Sequence, residues 1–197
     1  MLLYTAPIFV MLLSCLLFHE RLTARKLLAL AMSVGGCVLV SGLGGAQLGL
    51  KGLLLGLGAG FCYSLYSIFS RFAINRGYDS WTITFYSFLI CALGCAFLAD
   101  WRAISAIVLP DAGLLGSSAA LALFTGFLPY IFYTKSLEGI SSSRASILAS
   151  IEPVTATVLG TLVFHEPLSW TGAAGIALVL GAIAVLSIRS PRQAENE

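Results

Sequence analysis

Long apolar runs alternate with short polar breaks along the whole chain. Seven apolar segments can be marked: Leu2–Phe18, Lys26–Leu43, Gly52–Ala73, Trp81–Leu98, Gly113–Tyr133, Arg144–Phe164 and Leu168–Ile188. Each holds about 17–22 residues, enough for a helix to cross a hydrocarbon layer of roughly 30 Å. The breaks read HERLTAR, GGAQLGLK, INRGYDS, ADWRAISAIVLPD, TKSLEGISSS and HEP. In lipid the backbone must satisfy its own hydrogen bonds, so the runs are expected to be helices and not strands. The expected fold is all-α: a polytopic transmembrane bundle of seven helices. The polar end SPRQAENE, residues 190–197, is expected to be a disordered tail.

Composition places the chain in a membrane. Of 197 residues 58% are hydrophobic and 10% charged, against about 25% charged in a soluble domain. The formal net charge is only +2 and no basic tract invites nucleic acid. The five cysteines, Cys15, Cys37, Cys62, Cys91 and Cys95, all lie in apolar runs without a CxxC spacing. They read as small packing residues. The first residues, MLLYTAPIF, lack the basic region and cleavage site of a signal peptide and read as the middle of a membrane domain. If HERLTARK faces the cytoplasm, Arg21, Arg25, Lys26, Arg71, Arg76, Lys135, Arg144, Arg189 and Arg192 fall inside, and only Lys51 and Arg102 fall outside. Positive residues stay cytoplasmic, so the C-terminus is expected inside a bacterial plasma membrane and Met1 outside. Trp81, Trp101 and Trp170 fall at expected membrane–water boundaries, where indole rings are favoured.

One acid interrupts the apolar pattern. In SILASIEPVTATVLGTLVF, Glu152 lies eight residues past Arg144, about 12 Å into the helix. An ionised side chain at that depth costs about 2.5–3.5 kcal/mol or more unless a partner, a proton or a water-filled cavity meets it. Pro153 follows directly and removes an N–H from the helix ladder. Glu152 is therefore either a proton- or solute-binding carboxylate or a protonated acid bonded to a neighbouring helix.

The chain also repeats itself at one fixed offset. Pro7 falls on Pro153, Leu13 on Leu159, Phe18-His19-Glu20 on Phe164-His165-Glu166, Leu22 on Leu168 and Gly35 on Gly181. An odd number of helix starts separates the copies, so the second copy is upside down relative to the first. Inverted repeats characterise many secondary transporters, whose solute sites lie at the midplane between the repeats.

Both copies, APIFVMLLSCLLFHERLTARKLLALAMSVGGCVLV and IEPVTATVLGTLVFHEPLSWTGAAGIALVLGAIAVL, resemble the C-terminal end of the EamA repeat of the drug/metabolite transporter superfamily. The shared pattern is a Pro-containing helix, a (G/H)-E-x-L-(T/S) turn and a Gly- and Val/Leu-rich helix. Here the turns are His19-Glu20-Arg21-Leu22-Thr23 and His165-Glu166-Pro167-Leu168-Ser169; glycine is commoner than histidine at the first position in that family. The family pattern has ten helices in two repeats of five. The resemblance thus implies that residues 1–45 are the last two helices of a first repeat and 51–189 a complete second repeat. It further implies a fragment, a misplaced start or a truncated product lacking the first three helices. The implied function is alternating-access transport, with export favoured, of small metabolites, amino acids or drug-like solutes. The rival is a non-transporting remnant, or a scaffold subunit that needs a partner chain. A homo- or hetero-oligomer could complete the bundle.

Other polar residues join Glu152 as candidates for the solute or proton site. Tyr63, Ser67 and Ser70 share one face of the third segment. Tyr130 follows Pro129 in the fifth, and Tyr4 and Pro7 are the pseudo-symmetric counterparts of the Glu152 region. Each could line a cavity or serve interhelical packing. Pro7, Pro129 and Pro153 mark expected kinks or hinges. Glu20 and Glu166 are expected to form the tight turns and cap the N-terminus of the helix that follows each. No HExxH occurs, and the topology puts the two His-Glu pairs on opposite sides, so no metal is expected. No nucleotide-binding GxxxxGK[ST], no GxSxG and no histidine at membrane depth are present, so neither a cofactor nor enzyme chemistry is expected.

Overall fold

The computed structural model describes residues 2–40 and 50–187. The end of the second apolar segment, Arg189, Arg192 and the expected tail 190–197 lie outside the described residues. Among those residues there is no strand. The helices are α1 Ala6–Phe18, preceded by a 3₁₀ turn Leu2–Thr5, then α2 Ala24–Val40, α3 Leu50–Asn75, α4 Ser80–Ala96 and α5 Trp101–Ala103, which runs into a π turn Ile104–Val108. They continue as α6 Ala112–Leu121, a π turn Ala122–Phe127, α7 Leu128–Gly139, α8 Ser142–Ala149, α9 Ile151–Phe164 and α10 Trp170–Ser187. Four rods are long and apolar enough to cross a membrane alone: Leu50–Asn75, Ala112–Gly139, Ser142–Phe164 and Trp170–Ser187. A fifth candidate is bent by 97° between Ser80–Ala96 and Trp101–Val108. The chain is an all-α, multi-pass integral membrane bundle.

The bent rod corrects one sequence expectation. ADWRAISAIVLPD reads as a plain connection, yet it contains a short helix. Asp100 caps that helix by accepting from the backbone N–H groups of Arg102 and Ala103, both at 3.1 Å. Trp101 Nε1 donates back to the Ala96 carbonyl at 2.8 Å, which pins the bend. Asp79 and Asp111 cap α4 and α6 in the same way.

The chain forms two compact bodies. The first comprises residues 1–69 and 140–197. Its centre is the antiparallel pair α2 and α10, seen in Met32 reaching Gly181 while Val40 reaches Gly175. The helices nearly touch at Gly36 and Gly175, where a Cβ on either glycine would lie 2.7 Å from the other's carbonyl oxygen. Ala29 and Ala182 share a buried cluster with Met11, Ile147 and Leu186. Small residues permit this approach, which apolar lipid alone would not drive. The repeat offset carries Gly36 onto Ala182 and Gly175 onto Ala29, so the pair is arranged about a pseudo-two-fold axis.

The second body comprises residues 70–139. Here α4 and α7 meet once per turn in antiparallel register. Ser80 Oγ donates to Glu138 at 2.5 Å, Thr84 and Thr134 hydroxyls lie 3.4 Å apart, and the Phe88 and Tyr130 rings meet edge to face at 5.3 Å. Arg71 donates to the Leu137 carbonyl at the end of the same pair.

Candidate functional site

The three prolines flagged in the sequence each lie just after an irregular turn. Pro153 is the third residue of α9, and Ser150 before it is not helical. Without a proline N–H, the Ala149 carbonyl loses its usual donor and α8 ends there. The Ser150 N–H closes the end by bonding the Ile147 carbonyl at 3.1 Å. Pro7 is the second residue of α1 and follows the 3₁₀ turn Leu2–Thr5. Pro129 is the second residue of α7 and follows the π turn Ala122–Phe127, in which Thr125 Oγ1 bonds the Leu121 carbonyl at 2.7 Å. The widened turn relieves the clash a proline ring makes with the carbonyl four residues back.

Glu152 stands in the first turn of α9, beside the Ser150 break. Its side chain is exposed, and so are Thr155, Ala156 and Leu159 on the same helical face, whereas Pro153 and Val154 are buried. The first-turn position sets the carboxylate in the partial positive field of the α9 N-terminus. Tyr4 packs onto the cluster of Cys37, Val154 and Val179. On the buried side of the break, Ser33 Oγ donates to Ser150 Oγ at 2.7 Å, tying α2 to the discontinuity. Sequence reasoning overlooked Ser33, and no local signal could have paired it with a residue on a distant helix.

The other candidates are more scattered. Ser67 is fully buried on α3 and Tyr63 is half-buried, both in the same body as Glu152. Ser64 on that helix bonds its own Phe61 carbonyl at 2.6 Å. Tyr130 belongs to the second body, where it packs on Phe88. Thus the structure packs Tyr4 onto Val154, two residues past Glu152 on the same helix, and α3 carries Tyr63 and Ser67 together.

The two His-Glu turns have one backbone design. His19 and His165 adopt left-handed conformations, with φ of 53° and 55°. The N–H groups of His19 and Glu20 converge on the Ser14 carbonyl, and those of His165 and Glu166 on the Gly160 carbonyl. Glycine fits this conformation without strain, which is the physical reason for a G/H alternation there.

Capping differs from the sequence expectation. Thr23 Oγ1 accepts from the Lys26 N–H at 3.3 Å and Ser169 Oγ from the Gly172 N–H at 3.0 Å, so hydroxyls rather than Glu20 and Glu166 cap the following helices. Glu20 instead reaches across to the N-terminus of α8, accepting from Ser143 Oγ and forming an ion pair with Lys26 at 2.9 Å. Both ionic side chains are about 15% exposed or less. Burial works to raise the Glu20 pKa, but Ser143 and Lys26 outweigh it and hold the carboxyl below its ordinary value. Glu166 has no such partner among the described residues. Its exposed carboxylate lies against the α9 backbone, 2.8 Å from where a Cβ on Gly160 would stand.

A duplicated, antiparallel helix pair with a proline break in each copy, in a multi-pass apolar bundle, defines a class of inverted-repeat membrane protein. The family profile described as the EamA-like transporter family matches residues 50–188. The chain belongs to that family. It is 30% identical to an uncharacterized transporter of Archaeoglobus fulgidus over 188 residues, covering 94% of this chain and 64% of the relative. It is 29% identical to the uncharacterized transporter YwfM of Bacillus subtilis over 171 residues, covering 86% of this chain and 57% of the relative. The chain therefore spans about 60% of the length of the curated relatives it matches. A crystal structure shares the fold with a TM-score of 0.74 at 23% identity, covering 100% of this chain and 67% of the other.

Proposed function

We propose that this chain works as a secondary transporter of small organic solutes, with Glu152 as the carboxylate that binds the proton or the solute. The observation that carries the reading is Glu152 itself. It is exposed just past a helix break inside the rod Ser142–Phe164, which is long and apolar enough to cross a membrane. An acid there is costly against lipid and useful against a hydrated solute path. Family membership supports the class. Residues 1–45 would be the closing helix pair of a first repeat and 51–189 a second repeat, with the C-terminus cytoplasmic in a plasma membrane. Tyr4, Tyr63 and Ser67 would share the cavity wall, and Tyr130 would serve its own body. The breaks before Pro7, Pro129 and Pro153 would supply the hinges for alternating access.

The test is two-sided accessibility. Thr155, one turn past Glu152 on the exposed face, is changed to cysteine after the five native cysteines are replaced. Right-side-out and inside-out vesicles are then treated with a membrane-impermeant thiol reagent. Labelling from each side is expected. A cysteine at 155 that reacts from neither side would face lipid, and the pathway would not lie there.

A further inference from the structure

We infer that Cys91 and Cys95 form a dithiol site for trivalent organoarsenicals, neutral compounds R–As(OH)2 that bridge two thiols. The site lies in the second body and is independent of the transporter reading.

The two cysteines stand one turn apart on α4, with their sulfurs 4.0 Å from each other. Both are exposed. The other three differ. Cys37 is fully buried and packs with Val154 and Val179, Cys15 is half-buried, and Cys62 is exposed on α3.

Helix geometry decides what the pair can do. Residues four apart on a helix hold their Cβ atoms about 5–6 Å apart. A disulfide needs about 3.5–4.5 Å between Cβ atoms, so joining the sulfurs directly would distort α4. One atom inserted between them removes that strain, because it supplies two bonds where a disulfide has one. Trivalent arsenic with one organic substituent has two bonds left to offer, and two thiols complete it.

Charge decides which bridging atom fits. A soft metal ion also bridges two thiolates, but the ion and the thiolates would all be charges brought to an apolar helix, which is costly. The α4 sequence SWTITFYSFLICALGCA contains no charged residue. An organoarsenical reacts as a neutral molecule with neutral thiols. Two S–H and two As–O bonds break, two As–S bonds form, and each proton leaves with an arsenic hydroxyl as water. Arsenic stays trivalent, sulfur is not oxidised, and the product is neutral. Ile90, Leu93 and Leu98 are exposed as well, so an aryl substituent meets apolar surface. The bridge staples the last turn of α4, next to the bend that Trp101 pins at the Ala96 carbonyl.

Thiol protection tests the site. The purified full chain in detergent is titrated with phenylarsonous acid and then alkylated with iodoacetamide while folded. Peptide mass spectrometry reads the modification of each cysteine. At one equivalent Cys91 and Cys95 should be protected together while Cys62 stays open to alkylation. Excess monothiol should leave the pair protected, and 2,3-dimercaptopropanol should release it. Cys91→Ala and Cys95→Ala should each raise the concentration that half-protects the remaining thiol about 100-fold or more, because the second thiol acts at high effective concentration. Thermal unfolding checks that both variants are folded, and the comparison with Cys62 needs no variant at all. Cys62 protected as readily as the pair, one thiol of the pair protected without the other, release by monothiol, or half-protection unchanged in a folded variant would each overturn the inference.

Discussion

Gly36→Ala adds one methyl group at the tightest point of the α2–α10 crossing. The new Cβ would stand 2.7 Å from the Gly175 carbonyl oxygen and from Val179 Cγ2, and 3.0 Å from the Val179 nitrogen. Ordinary contact begins near 3.4 Å, so the helices must part by about 0.7 Å. Two of the three obstacles are backbone, which cannot rotate away as a side-chain end can. Overpacking of this kind costs about 1–3 kcal/mol. The better helix propensity of alanine returns at most about 1 kcal/mol. A net loss of about 1–2 kcal/mol corresponds to a fall in Tm of roughly 2–8 °C for a chain of this length. Gly35 next door supplies the control, because a Cβ there meets nothing within 4 Å. Thermal unfolding in detergent, followed by circular dichroism, should show Gly36→Ala clearly less stable and Gly35→Ala unchanged or slightly more stable. Gly36→Ala combined with Gly175→Ala should cost less than the sum of the two, because one separation relieves both clashes. Equal Tm values for Gly35→Ala and Gly36→Ala would refute the close crossing.

The two turn acids should behave unequally: Glu20→Gln should lower stability by about 1–3 kcal/mol, from lost charged hydrogen bonds, and Glu166→Gln by no more than about 0.5 kcal/mol. Equal losses in thermal unfolding would contradict the Glu20–Lys26–Ser143 contact. Since folding lowers the Glu20 pKa, its contribution is complete above the unfolded value, near 4.3, and is lost as pH falls through the folded value. Acid should therefore destabilise the wild type more than Glu20→Gln. Ser33→Ala and Ser150→Ala should each cost about 1 kcal/mol and the double variant less than their sum, with strict additivity speaking against the buried hydroxyl pair.

The spans were legible because lipid leaves the backbone few choices. Once Leu50–Asn75 or Trp170–Ser187 is read as an apolar run, a helix follows. The repeat was legible too, and with it the paired turns at His19 and His165. The Trp101–Val108 helix was not, because so short a helix has no long apolar run to announce it. The Glu20 role was misread for a related reason. Sequence proximity points to α2, while its partner Ser143 is 123 residues away. The Ser33–Ser150 bond is similarly non-local. Of the candidate site, Glu152 and Pro153 stood out by chemistry, and Tyr4 was reachable through the repeat, where it aligns with Ser150. The burial of Ser67 depends on neighbours that no local pattern encodes.

The most direct test is coupled flux through the carboxylate. The full chain is reconstituted in liposomes with an internal pH dye and offered pooled amino acids, small metabolites and ammonium compounds, beside Glu152→Gln shown to be folded. Solute-dependent proton movement in the wild type, lost in Glu152→Gln, is the expected result. Proton movement equal in both would reduce Glu152 to a structural acid, and no movement in a folded wild type would contradict transport by this chain.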